Sequence, residues 1–154
     1  MSTQALLRSR MRNLLAFRGL DREERKATLQ AFLMLPVVAG AVKLRGLQRV
    51  QARLAVGPES RRSSHVEPVR LGHLVNRVAA PWRANCLTRS LVTWWLLGRA
   101  GVVGDLRIGV RQSDQGLDFH AWIEADGLVI NDRSDIADEF TPFAHPIAPG
   151  QRFV

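Results

Sequence analysis

The spacing of the apolar residues changes once along this chain, between Arg99 and Asp105, and that change restricts the folds open to it. Up to Arg99 the apolar positions recur at helical spacing; from Asp105 they alternate, as on one face of a strand. Asp105 to Gln112 (DLRIGVRQ) sends Leu106, Ile108 and Val110 one way and Arg107 and Arg111 the other. Leu117 to Glu124 (LDFHAWIE) repeats the alternation, and Leu128 to Arg133 (LVINDR) follows a tight turn. Helices first and an antiparallel meander afterwards predict an α+β fold, not the interleaved order of a parallel α/β sheet.

The helical half is punctuated. Residues 1–56 read as helical, and Asp21 with Glu24 has capping-box spacing, each side chain taking an orphan backbone N–H. A helix is expected from about Arg22 into the run AFLML, with Pro36 ending or kinking it, because proline lacks the N–H and crowds the preceding turn. Leu44, Leu47, Val50 and Leu54 then recur at helical spacing beside Arg45, Arg49 and Arg53, which predicts an amphipathic basic helix. Residues 57–68 (GPESRRSSHVEP) have the composition of an exposed linker. Val69 to Val78 reads as a short amphipathic helix closed by Pro81. Cys86 to Arg99 (CLTRSLVTWWLLGR) carries Leu87, Leu91, Trp94 and Trp95 on an inward stripe, with Gly101 placed as a left-handed cap. The chain therefore divides into a helical region 1–57, a linker 58–68 and a core 69–154.

Composition narrows the chemistry. The single cysteine, Cys86, cannot form an internal disulfide, and with no CxxC spacing or Cys/His cluster no metal or iron–sulfur centre is expected. No cofactor is expected either: GxxxxGK[ST] is absent, so no ATP site is read. The net charge of +8 is carried almost wholly by arginine, Lys26 and Lys43 being the lysines. It suits an acidic partner, a nucleic acid or an anionic membrane surface, or reflects an arginine-favouring genome, and it carries no information about fold. Residues 1–26 have no signal-peptide core. The apolar run from Ala31 to Val42 falls short of the roughly 20 residues that span a bilayer. A buried helix is expected there, with interfacial membrane contact as the alternative, and a cytoplasmic location follows.

Cys86 stands at the start of its helix, where the helix dipole favours a thiolate and free backbone N–H groups can hold an oxyanion. A thiol needs a base, and histidine is the usual partner. If Ala125, Asp126 and Gly127 form a three-residue loop, Glu124 pairs with Leu128 and His120 lies opposite Asp132, with Cβ atoms about 4.5–5.5 Å apart. Asp132 would then orient one imidazole nitrogen while the other faces Cys86. A two-residue Asp126-Gly127 turn would shift the register by one and put Asp132 on the other face. His65, His73 and His145 show no such partner. Asp135 is a rival for the third role, and Trp94 and Trp95 read as core.

The segments NCLTRSLVTWWLLGRAG, DLRIGV, FHAWIE and VINDRSDIADEFTPF, spanning Asn85 to Phe143, resemble the leader-peptidase component of lasso peptide biosynthesis, the B protein. The resemblance implies a transglutaminase/papain-like core, with a Cys-bearing helix packed on an antiparallel sheet. It implies Cys86 as nucleophile, His120 as general base and acid, and Asp132 as orienting carboxylate, cutting the leader from a ribosomally made precursor peptide. With no leader-recognition domain read ahead of Gly57, it further implies the protease half of a split B protein. Such a half works with a separate leader-recognition protein and alongside an ATP-dependent cyclase.

Two other functions fit the residues. One is a transglutaminase-like amidase or acyltransferase, since the same triad serves water or an amine. The other is a non-catalytic basic adaptor that binds peptide, nucleic acid or membrane through residues 8–62. A nucleic-acid partner is not expected of the enzyme.

Overall fold

The computed structural model describes residues 19–55 and 66–143. Helix α1 spans Arg22–Arg45 and α2 Leu47–Leu54; α3 spans Pro68–Ala79, followed by a 3-10 turn Ala80–Trp82, and α4 spans Cys86–Arg99. Then come β1 (Asp105–Ser113), β2 (Gly116–Ala125), β3 (Leu128–Val129), a one-turn helix α5 (Ile136–Glu139) and β4 (Thr141–Pro142). The strands form one antiparallel sheet in the order β3-β2-β1-β4. This is the expected α+β architecture, with the last helix and strand unforeseen.

The expected helix ends hold where side chains and glycine dictate them. Asp21 caps α1 through a complete capping box: Glu24 N–H donates to Asp21 Oδ1 at 2.7 Å and Asp21 N–H to Glu24 Oε2 at 3.1 Å. An end that was not expected is that of α3, which begins at Pro68, inside the expected linker, and is capped by Glu67 accepting from the N–H groups of Val69 and Arg70. Gly101, at φ 84°, ends α4 in a Schellman motif, Val102 N–H reaching the Leu97 carbonyl and Gly101 N–H the Gly98 carbonyl.

Of the two outcomes expected at Pro36, an end or a kink, the end does not occur: the helix runs through it to Arg45. A proline inside a helix costs about 3 kcal/mol. Ala31, Leu35 and Val38, on either side of it, are buried against the rest of the core, and each large apolar side chain so buried returns about 1.5–3 kcal/mol. Leu44 also departs from expectation. It lies in α1, exposed, while Gly46 at φ 77° breaks the chain before α2, which buries only Val50, Gln51 and Leu54. At 24 residues α1 is long and apolar enough to cross a membrane by length and composition. One side of it is core, and the other leaves Leu29, Leu33 and Val37 exposed.

A single apolar cluster joins Ala31 and Leu35 of α1, Leu54 of α2, Leu74 of α3, Leu91 and Leu97 of α4, and Leu106, Ala121 and Ile123 of the sheet. An ion pair, Arg70 Nε to Glu24 Oε1 at 2.6 Å, bolts α3 to α1. The opposite sheet face carries a smaller cluster in which Ile136 and Phe140 cover Trp122. Trp94 is buried as expected, its indole N–H donating to the Gly104 carbonyl at 2.8 Å, and Trp95 is half-buried beneath Arg99.

The β2–β3 turn corrects the expected register. Ala125 pairs with Leu128 and Glu124 with Val129, so Asp126 and Gly127 alone form the loop, at φ 49° and 76°. Two positive φ values mark a type I′ turn, whose twist matches that of the flanking strands. β3 is correspondingly short, ending at Val129 where pairing to Arg133 had been expected. Residues 58–65 of the expected linker, Arg8, Arg10, Arg12, Arg18, His65 and His145 lie outside the described residues.

Candidate active site

Cys86 is the first residue of α4. The chain reaches it through Arg83, held left-handed at φ 47°, and Asn85, whose side chain accepts the Thr88 N–H at 2.9 Å. Arg89 N–H bonds the Asn85 carbonyl, so the first-turn donors left without an intrahelical acceptor are the N–H groups of Cys86 and Leu87. Cys86 is a free, half-buried thiol that packs against the helical core. Among the described residues no hydrogen bond joins it to His120.

His120 and Asp132 are in contact. His120 Nε2 lies 2.7 Å from Asp132 Oδ2, with both side chains about one-fifth exposed, at 19% and 20%. An ionised carboxylate only accepts, so Nε2 is the donor in this bond, and in a neutral imidazole that tautomer keeps the lone pair on Nδ1. His120 packs on Phe140, ring centroids 5.0 Å apart, and stacks beyond it on Trp122 at 6.3 Å. Directly opposite His120 in β1 is Gly109, where a Cβ would sit 2.8 Å from the Trp122 ring. A larger residue there would displace the indole that neighbours the imidazole.

The register observed in β3 would put Asp132 on the wrong face if the strand continued. It does not continue, and Asn131 is the reason. Ile130 N–H still bonds the Ile123 carbonyl at 2.9 Å, but the return bond is taken by a side chain: Ile123 N–H donates to Asn131 Oδ1 at 2.8 Å. Asn131 Nδ2 donates to Ser90 Oγ at 2.9 Å, and Ser90 Oγ donates to the Ala121 carbonyl at 2.9 Å. Asn76 Nδ2 holds the Asn131 carbonyl at 2.7 Å. Chain and ladder separate here, and Asp132 turns back to His120, with Arg133 N–H bonding its second oxygen at 2.9 Å.

This buried network ties α4, β2 and the Asp132 bend together. Ser90 lies four residues after Cys86, on the same side of α4, and bonds the residue next to His120. Gly72 of α3 lets the bend approach closely, since a Cβ there would lie 2.2 Å from the Ile130 carbonyl oxygen. Sequence reasoning missed Ser90, Asn76 and Asn131. A signal existed for Asn131 alone, as a polar residue in the apolar phase of the run LVIN.

His120 and Asp132 line a cleft of about 430 Å³ together with His73 and Asn76 of α3, Arg89 of α4, Asn131 and Arg133. Arg89 lies one turn from Cys86, so the thiol stands on an element that also walls the cleft. Among the described residues no group of three or more His, Cys, Asp or Glu side chains is placed to hold a metal. Asp135, the rival third member, precedes α5 at the N-cap position without a side-chain capping bond, and its carboxylate lies 3.7 Å from the Arg133 guanidinium.

Residues 31–145 match the family model described as the transglutaminase-like superfamily. No curated protein and no solved structure matches the chain.

Proposed function

The chain belongs to the transglutaminase-like superfamily, whose members are typically cysteine-dependent enzymes, and on that premise we propose that it is a cysteine peptidase removing the leader from a lasso precursor peptide. The observation that carries the reading is the 2.7 Å His120–Asp132 bond, formed at a cleft that Arg89, one turn after Cys86 on α4, also lines. In this reading Cys86 gives its proton to His120 Nδ1 and attacks the carbonyl at the leader–core junction. The N–H groups of Cys86 and Leu87 receive the oxyanion. His120 then protonates the departing amine, leaving a thioester on Cys86. Finally His120 takes a proton from water, hydroxide displaces the thiolate and the leader leaves as a carboxylic acid. Asp132 stays ionised throughout and steadies the imidazolium.

The lasso assignment rests on the resemblance of residues 85–143. With it come three proposed partners, namely the precursor, a separate leader-recognition protein and an ATP-dependent cyclase, and a cytoplasmic setting. Mass spectrometry of a precursor incubated with the chain and its leader-recognition partner tests the reading. Two fragments summing to the precursor plus one water, absent with Cys86→Ala, are expected. A deamidated glutamine or an isopeptide would place the chain among the amidases or acyltransferases instead. Equal processing by Cys86→Ala would remove Cys86 from the reaction and leave the adaptor reading.

A further inference from the structure

Resting on the peptidase reading, we propose that the cleft beside His120 receives a carboxylate group of the substrate on Arg89. Among the described residues, Arg89 Nε is buried with no hydrogen-bond partner, and its guanidinium makes one long bond, Nη1 to Asn76 Oδ1 at 3.4 Å. A guanidinium keeps its charge at any working pH, and a buried donor left unpaired is costly, so an acceptor from outside the chain is favoured there. The carboxylates nearby are already committed. Asp132 is held by His120 and by the Arg133 N–H. Glu139 and Asp135 engage the Arg133 side chain, which among the described residues leaves Arg89 as the uncommitted guanidinium in the cleft.

The shape of the missing partner follows from the donor. Nε and an Nη form a planar fork that a carboxylate fills with two parallel bonds, whereas an amide oxygen satisfies one donor and none of the charge. Arg89 is three residues from Cys86, so a bound carboxylate belongs to a residue close to the scissile bond. His73, one turn from Asn76 on α3, stands at the exposed rim, where it adds a second donor. The carboxylate comes either from an acidic side chain or from a chain terminus, and the cleft chemistry is the same for both.

NMR of the Cys86→Ala protein, observing the Arg89 Nε–Hε and His120 ring signals, tests this without any bond being cleaved. The probes are N-acetyl-glutamate amide for the side-chain source and N-acetyl-glycine for the terminal source. N-acetyl-glutamine amide is the neutral control, and ionic strength is held with sodium chloride. A saturable shift with either carboxylate and none with the control is expected, and the probe that binds identifies the source. Arg89→Gln should abolish it, and Arg89→Lys, which keeps charge but not the fork, should weaken it by about tenfold. No saturable shift with either carboxylate, or an equal shift with the glutamine control, overturns the proposal and leaves a site for water or a neutral acceptor. Because nothing is turned over, failure here is separable from failure of the peptidase reading.

Discussion

Replacing Asn131 with alanine should cost about 2–4 kcal/mol of stability and separate His120 from Asp132. The Ile123 N–H, in a residue with no exposed surface, would lose its acceptor, and a buried donor stranded in this way costs about 1–3 kcal/mol. The bond from Nδ2 to Ser90 Oγ contributes about 0.5–1.5 kcal/mol more. The Asn76 contact should survive, since it reaches the backbone carbonyl of residue 131. Urea unfolding at neutral pH reads the first consequence, and the His120 Nε2–H proton signal reads the second. A double-mutant cycle with Ser90→Ala isolates the shared bond. If Asn131→Ala lay within about 0.5 kcal/mol of wild type, the argument that a side chain ends β3 and aims Asp132 would be refuted. Retention of the His120–Asp132 proton signal would refute its functional half.

Two glycines of the helical half should respond in opposite directions. Gly72→Ala should destabilise by about 1–3 kcal/mol because its methyl meets the Ile130 carbonyl at 2.2 Å, while Gly40→Ala, with nothing within 4 Å, should stabilise by up to about 1 kcal/mol, both read from thermal unfolding. Acid should loosen the α1–α3 contact. Arg70, then the Asp21 N–H, holds the Glu24 carboxyl below its ordinary value of 4.5, so its contribution is complete above about pH 4.5 and is lost as pH falls through the lowered value. Glu24→Gln should flatten that part of the stability–pH curve, and an unchanged curve would place the acid response elsewhere.

The sequence was most legible where one local rule governs. Asp21 with Glu24 and Gly101 after Arg99 each specify their own geometry and appear as expected, and LDFHAWIE forms its expected strand, although Leu117 and Phe119 of the apolar phase are exposed and Trp122 of the other phase is buried. It was least legible where tertiary contacts override local preference. Pro36 stays helical because Ala31, Leu35 and Val38 are buried around it, and nothing near Pro36 in sequence encodes those contacts. The His120–Asp132 pair is the instructive case, since the expected pair forms through an unexpected route. The turn took the register that by itself would have separated them, and Asn131 bent the chain back. Ser90 and Asn76 were unreadable because their partners lie 31 and 55 residues away.

The central claim is that Cys86 works as a nucleophile through the His120–Asp132 pair. Its most direct measurement is the rate of Cys86 alkylation by iodoacetamide at pH 7 in the wild type, His120→Ala and Asp132→Ala. Because Cys86 is the only cysteine, intact-mass readings report that one thiol, with no substrate or partner required. Wild type should react on the order of tenfold faster than either variant, since a paired imidazole raises the thiolate population. Equal rates in all three proteins would contradict the claim and return Cys86 to the status of a half-buried apolar residue at a helix end.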